Sequence, residues 1–492
     1  MEKKKIFCII SFLVCCLFCF SENKFVGVCY GPFRDNENPD CGVLPTEKEI
    51  EEDIQFLSKL TNSLRSYGST GSLKSIPKFC ADYKIDCYPG GWLSKYKREN
   101  EKEINALIEI GKQKNPYVKG LIVGNEVLLR GDLKEEELIY YIKKVKNETG
   151  LPVTTAEIWS VLMKHPNIVK EIDFILVHIH PYWERKSIEE AGRYVIEKWK
   201  EIKNIYPEKE VIIGETGWPS KGEVMGKAVP SEENQFKFLS QFLRYAKENN
   251  VKYFLFEAFD EKWKLKFEGG AGANWGIYYS NGYLKPLLKN LVPSEAQQGI
   301  QRPARKLSVI SVSVPFSVWV EVDSQDNHFY PTGWMGDINS IFLDDECTEN
   351  PHSGKTCIKI KYQPKITDTY RWAGIYFQFP INNWGDYPGY NIKGAKKLTF
   401  WARGEKGGEM AEFKVGGINR HPHKDSTKPY EDSFGPVTTR PSKIKLTKEW
   451  KKYEIDLTGE NLSNVIGGFC WVTNVIQNPK GCTIYLDDIN FE

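Results

Sequence analysis

Eight times between residues 25 and 261 a short β-type run gives way to a segment with helical periodicity, and this alternation limits the possible folds more than any other feature of the chain. The runs are "FVGVCYG", "NSLRSYG", "KIDCYPGGW", "VKGLIVGNEV", "PVTTAEIW", "DFILVHIHPYW", "EVIIGETGW" and "VKYFLFEAFDE". Segments such as "TEKEIEEDIQFLSKL" and "SEENQFKFLSQFLRYAKEN" between them repeat apolar residues at three and four, the spacing of one buried helix face. Eight such units predict a (β/α)8 TIM barrel of the α/β class. An open doubly wound sheet is the alternative, but no glycine-rich phosphate turn follows the first run.

In a barrel of this kind the active site is built at the C-terminal ends of the strands. That rule selects Tyr30, Arg65, Tyr67, Asn125, Glu126, His178, His180, Tyr182, Glu215, Trp218, Asp260 and Glu261, the polar or aromatic residues that close the apolar runs.

After Leu291 the helical period is lost. "VPSEAQQGIQRPARKLSVISVSVP" reads as a linker. Beyond it, alternating runs such as "KTCIKIKYQ", "KKLTFWARG" and "TIYLDDINFE", separated by Gly, Asn and Pro, predict an antiparallel, jelly-roll-like β-sandwich. The expected division is a signal peptide over 1–21, the barrel over 22–292, a linker over 293–315 and the sandwich over 316–492.

A formal net charge of +2 gives no field that would select nucleic acid or an anionic membrane. Aromatic residues make up 13% of the chain, and flat faces in that number suit neutral, ring-shaped ligands such as sugars. Three lysines followed by the apolar stretch Ile6–Phe20 read as an export signal, and that stretch is shorter than the roughly 20 residues of a membrane-spanning helix. Secretion is the expectation, with no membrane-spanning segment in the mature chain; lipid attachment at Cys16 or Cys19 is its rival. Eight of the 12 cysteines lie beyond the leader, an even set that suggests disulfides. Nearest-neighbour pairing would join Cys29 to Cys41, Cys80 to Cys87, Cys347 to Cys357 and Cys470 to Cys482. No CxxC spacing occurs among them, which argues against zinc.

Glu126 and Glu215 end the fourth and seventh runs. Two opposed carboxylates at one barrel mouth are what glycoside hydrolysis uses, one giving a proton to the leaving oxygen and the other, ionised, attacking the anomeric carbon. Two hydrogen-bonded rim residues without chemistry would look the same by spacing alone.

The wording around them is more specific. "VGNEV" and "IIGETGWPSKG", with "GVCYGP", "LRSYGS", "HPYW", "FEAFDEKWK" and "NWGIYYSNGYLKP", resemble glycoside hydrolase family 17, the β-1,3-glucanase family, over about residues 25 to 291. The resemblance implies Glu126 as general acid/base and Glu215 as nucleophile in a retaining mechanism that needs no cofactor and no catalytic metal. It implies that Asn125 bonds the sugar 2-hydroxyl, that Tyr30, Arg65, Tyr67, Tyr182, Glu261 and Lys264 line sugar subsites, and that Trp218 offers a stacking face. The implied partner is β-glucan. The chain departs from plant members in carrying His178-Ile179-His180-Pro181-Tyr182 where they have Asn-x-Tyr-Pro-Tyr. The two histidines lack an evident third metal ligand and are read as polar walls of the cleft.

The C-terminal part resembles the β-sandwich carbohydrate-binding modules of secreted glycosidases through "GWMGD", "NPHSGKTCIKI" and "YLDDINFE". One to three of Tyr330, Trp334, Trp372, Trp384, Trp401 and Trp471 are expected to face ligand, and Asp487 with Asp488 is the one place considered for a structural Ca2+. Two rivals stay open: a β-1,3-glucanosyltransferase using the same two glutamates, and a non-catalytic glucan-binding surface protein.

Overall fold

A computed structural model of the chain describes residues 24–418 and 429–492. The expected signal peptide lies outside them. The chain divides into two units, one running to Glu37 and then over Leu44–Arg305, the other made of Asn38–Val43 and Lys306–Glu492.

The first unit carries β1 (Val28–Cys29), β2 (Ser63–Arg65), β3 (Asp86–Tyr88), β4 (Gly90–Gly91), β5 (Leu121–Asn125), β6 (Val153–Ile158), β7 (Ile175–His178), β8 (Val211–Thr216) and β9 (Tyr253–Leu255). They form one sheet in the order β3-β2-β1-β9-β8-β7-β6-β5-β4, and its pairings are parallel. The two end members, β3 and β4, are separated only by Pro89. They are two halves of the third expected strand, so the sheet is a TIM-type barrel of eight strands with one break. Pro89 has no N–H to give to a ladder, although its carbonyl still accepts from Ile122 N at 3.0 Å.

Alternation along the strands sorts the core. Cys29, Ile122, Ala156, Leu176, Ile212 and Phe254 fill the barrel interior. Their neighbours Val28, Leu121, Val123, Ile175, Val177, Ile213 and Leu255 pack outward with the helices. The helix Glu47–Leu57 shows how the sequence sets these helices. Thr46 and Glu49 form a capping box at its start, and Ile50, Ile54 and Leu57 give it one buried face.

The boundary of the first unit differs from the sequence expectation. Residues 293–305, read as the start of a linker, belong to the barrel unit. Arg302 is the reason: it is buried, its guanidinium pairs with Asp53 at 3.1 Å, and it donates to the carbonyls of Pro32 and Ser280. A run rich in Gln, Pro and Arg looks solvated until a buried acid elsewhere claims one of its cations.

The second unit contains β10 (Ile310–Ser311), β11 (Phe316–Trp319), β12 (Tyr330–Gly336), β13 (Ile341–Cys347), β14 (Cys357–Tyr362), β15 (Trp372–Gln378), β16 (Tyr390–Asn391), β17 (Lys397–Gly404), β18 (Met410–Val415), β19 (Val437–Thr438), β20 (Ile444–Lys445), β21 (Lys451–Asp456), β22 (Gly467–Asn474) and β23 (Cys482–Phe491). Two antiparallel sheets result, β13-β14-β23-β17-β21 with β11 beside β23, and β12-β15-β22-β18-β19 with β20 beside β18. Every second residue, such as Ile358 and Ile360, Ile375 and Phe377, Leu398 and Phe400, or Phe413 and Val415, enters one shared core, as a sandwich requires.

Cys347 lies directly opposite Cys357 across β13 and β14. The other neighbouring pairs do not all meet. The Cys29 thiol sits inside the barrel and donates to the Gly214 carbonyl, while Cys470 packs with Tyr376 and Ile466 and Cys482 enters the sandwich core. An in-line sequence neighbour is no guide when alternate strand residues face opposite ways. Asp487 and Asp488 are likewise engaged by protein donors. Asp487 Oδ2 accepts from the backbone of His352 and Ser353, and Asp488 accepts from His352 Nδ1 and Ser353 Oγ. Hydrogen bonds thus satisfy the oxygens considered for Ca2+. Among the described residues no helix is long and apolar enough to cross a membrane.

Candidate active site

The end of β5 is bent by its own residues. Gly124 has a φ of +80° and Glu126 a φ of +51°, so the chain leaves the barrel at Asn125 and turns at once into the single helical turn Val127–Arg130. A left-handed conformation is uncommon for a non-glycine residue and has to be held by its surroundings. Glu126 N donates to Ala156 O at 2.8 Å. Leu128 N donates to Glu157 Oε1 at 2.7 Å, and burial pushes the Glu157 carboxyl up to about 7.

Arg65, fully buried at the end of β2, is the hub. Nη2 donates to Asn125 Oδ1 at 2.5 Å, and Nη1 lies 2.8 Å from Gly214 O, 2.6 Å from His178 Nε2 and 3.2 Å from Glu215 Oε1. Gly214 leaves room for this. A Cβ there would come within 3.0 Å of His178 and 3.1 Å of Arg65 Nη1, tighter than packed atoms tolerate.

Each glutamate has a histidine. His178 Nδ1 is 2.7 Å from Glu126 Oε1, and His180 Nε2 is 3.1 Å from Glu215 Oε2. Tyr67 donates its hydroxyl to Glu215 Oε1 at 2.8 Å. Burial alone would raise the Glu215 carboxyl, but the Arg65 guanidinium and the His180 hydrogen bond hold it below the usual carboxylate range. Glu215 is therefore ionised across the working range of most enzymes. Burial lowers the His178 imidazole, which favours its neutral form. Glu126, His178 and Glu215 each present a ligand-type atom, all within 4.8 Å of one another. Such a triad is a conceivable cation site, but Arg65 already supplies the positive charge against both His178 Nε2 and Glu215.

Arg65, Tyr67, Asn125, Glu126 and Glu215 thus meet at one point, as their strand-end positions imply. Other expected residues do not. Tyr30 is buried and donates to Asp53 at 3.1 Å; Tyr182 is buried and donates to Glu223 O at 2.7 Å. Trp218 is 1% exposed, bonded through Nε1 to Val229 O and stacked on Phe238. These three are packing residues, because an aromatic ring at a strand end fills space as readily as it meets ligand. Glu261 is buried and pairs with Lys264 at 2.7 Å, and Lys264 also binds Glu257 at 2.5 Å. This cluster is separated from His180 by the ring of Phe256.

Two exposed tryptophans were missed. Trp92, 41% exposed, follows β4 beside the Asn125 strand, with the Arg130 guanidinium 4.4 Å from its ring centre. Arg130 also donates to the carbonyls of Asn125 and Leu93. Trp183, 39% exposed, follows β7 and leans on Trp275. The signal for both was in the sequence: each closes one of the eight β-type runs, "KIDCYPGGW" and "DFILVHIHPYW".

Residues 27–276 match the family model of the BtgE/BtgC glycoside hydrolase domain. Among curated proteins, the chain is 28% identical over 284 residues to the probable glucan endo-1,3-beta-glucosidase btgC of Aspergillus terreus, covering 51% of this chain and 42% of that one. It is 27% identical over 300 residues to the glucan endo-1,3-beta-glucosidase btgC of Emericella nidulans, covering 53% and 45%. The chain thus spans less than half the length of these relatives. Among solved structures, an active-site mutant of a Rhizomucor miehei beta-1,3-glucanosyltransferase in complex with laminaritriose is 31% identical, covering 54% of this chain and 96% of that one with a TM-score of 0.47. The glycoside hydrolase family 17 beta-1,3-glucanosyltransferase of the same organism is 30% identical, covering 55% and 98% with a TM-score of 0.48.

Proposed function

Because the chain belongs to the BtgE/BtgC glycoside hydrolase domain family, we propose that it cleaves β-1,3-glucosidic bonds in β-glucan with retention, Glu215 acting as nucleophile and Glu126 as acid/base. The observation that carries this reading is the close approach of the two carboxylates, whose nearest ligand-type oxygens lie within 4.8 Å. Retaining glycosidases hold their carboxyl groups about 5 to 5.5 Å apart, whereas inverting ones need about 6.5 to 9.5 Å to admit a water.

The roles divide by environment. Glu215, ionised by its cationic and hydrogen-bonding neighbours, attacks the anomeric carbon while Glu126 gives its proton to the leaving oxygen. Glu126 then takes a proton from the incoming water as the glycosyl–Glu215 bond breaks. Asn125, oriented by Arg65, is placed to meet the 2-hydroxyl, where a hydrogen bond strengthens as charge develops.

A second reading, transfer of the glycosyl group to another sugar, has support in the names of the Rhizomucor miehei relatives. Incubating the purified chain with linear β-1,3-gluco-oligosaccharides separates the two: shorter products alone mean hydrolysis, whereas products longer than the substrate, formed together with shorter ones, mean transfer. No turnover on any β-glucan would overturn both and leave a glucan-binding protein.

Trp92 is proposed as a sugar-stacking face held by Arg130. Trp92→Ala should raise KM for oligosaccharides about tenfold, the effect of losing about 1.4 kcal/mol of stacking, while leaving kcat on a short aryl glycoside unchanged. Steady-state kinetics on both substrates checks this.

For the sandwich we propose glucan binding through β12, where Tyr330 and Trp334 are 40% and 36% exposed. Trp471, by contrast, is buried in the core, and Trp401 is stacked by His352 at 3.8 Å.

A further inference from the structure

We propose that His178 is a positioning residue for the acid/base: Arg65 fixes it as the neutral Nδ1–H tautomer, and its N–H to Glu126 Oε1 confines the transferable proton to Oε2. The inference rests on Glu126 being the acid/base.

A guanidinium has five N–H donors and no acceptor. With Arg65 Nη1 2.6 Å from His178 Nε2, that nitrogen must present its lone pair. The single imidazole proton is then on Nδ1, which lies 2.7 Å from Glu126 Oε1. A second proton on His178 would turn an N–H toward the guanidinium inside a fully buried site, so the ring stays neutral. The charged and titratable groups facing His178 are Arg65, Glu126, Glu215 and, ring to ring at 6.3 Å, His180. Glu157 and Glu268 are the further carboxyls facing Glu126, each pushed upward by its own burial.

The consequence is a division of labour between the two oxygens of Glu126. Oε1 accepts from His178 throughout. In the first step the proton leaves Oε2 for the glycosidic oxygen as the C1–O bond breaks and the bond from C1 to Glu215 forms. In the second, Oε2 takes a proton from water as the water oxygen bonds to C1 and Glu215 is released. The His178 proton never moves. The donated N–H favours the ionised acid/base that the second step requires.

Removing that donor therefore favours the protonated acid. In His178→Phe the basic limb of the kcat/KM profile should move upward by about one pH unit, the shift that corresponds to losing about 1.4 kcal/mol of a charge-assisted hydrogen bond. His178→Asn, which keeps an N–H donor, should move it less. A merely structural histidine would lower activity at all pH values and leave the limb in place, which would overturn the proposal. Because a variant at a fully buried position can fail to fold, the unchanged protein supplies a second test. Nitrogen NMR of histidine-labelled chain should show His178 with Nδ1 protonated, Nε2 bare and no titration at the ordinary imidazole value of about pH 6.5. An Nε2–H tautomer or a titrating ring would overturn the inference. The NMR result needs no substrate, so it fails separately from the proposed function, which fails if the unchanged chain does not turn over β-glucan.

Discussion

Glu215→Ala should lower turnover of β-1,3-gluco-oligosaccharides by about 10⁴-fold or more, the loss typical of a missing nucleophile. Glu126→Gln should behave differently according to the leaving group. With a natural glucan, whose departing hydroxyl needs a proton, the loss should be about 10²- to 10⁴-fold. With an activated aryl glycoside the first step needs no acid, so the glycosyl-enzyme should still form. A small anion such as azide should then restore the second step by attacking without general-base help. The pair of variants, measured on both substrate types, separates the roles: equal losses on the aryl glycoside would undo the assignment.

Arg65→Ala is expected to cost about 3 to 5 kcal/mol of stability, because it leaves the Glu215 carboxylate buried without its guanidinium. For a domain of this size that is a fall in Tm of roughly 10 °C. Its pH dependence has a definite sign. Glu215 has a depressed folded-state pKa in the native site, so its contribution is present above the ordinary carboxyl range and is lost as pH falls through the folded value. In Arg65→Ala the carboxyl moves upward and the variant gains from its protonation. The Tm gap should be widest near neutrality and narrow as pH drops below about 4. A gap independent of pH would mean that Arg65 acts by packing rather than by charge. Arg65→Lys should recover part of the stability but little activity, since an ammonium cannot reach Asn125, Gly214 and Glu215 together as the planar fork does.

The barrel was legible because its strands carry two signals at once, an apolar run and a polar terminus, and because helix periods intervene. The grouping of the candidate site was legible to the same extent. Arg65, Tyr67, Asn125, Glu126 and Glu215 stand at strand ends whose side chains converge, and position along the strand is enough to place them. What the sequence could not supply was the direction of a ring. Tyr30, Tyr182 and Trp218 also stand at or just past strand ends, yet each is buried and partnered by Asp53, the Glu223 carbonyl or Phe238. Trp92 directly follows β4 and Trp183 lies five residues beyond β7, where the strand-end rule does not select them. The sequence offers His178 only as a wall residue; its proposed role depends on a 2.6 Å approach from a residue 113 positions away in sequence, which no local pattern encodes. The end of the barrel unit was hidden for the same reason, since Arg302 is held by Asp53, 249 positions earlier.

The measurement that tests the central claim most directly is peptide mass analysis of the chain after reaction with a 2-deoxy-2-fluoro β-1,3-glucobiosyl fluoride. The electronegative fluorine slows both steps through the oxocarbenium-like transition state, while the fluoride leaving group keeps the first step fast enough for the intermediate to accumulate. The account predicts one disaccharide adduct on the peptide bearing Glu215, formed also by Glu126→Gln. Turnover without any adduct and with inverted anomeric products, or an adduct on another carboxylate, would contradict it.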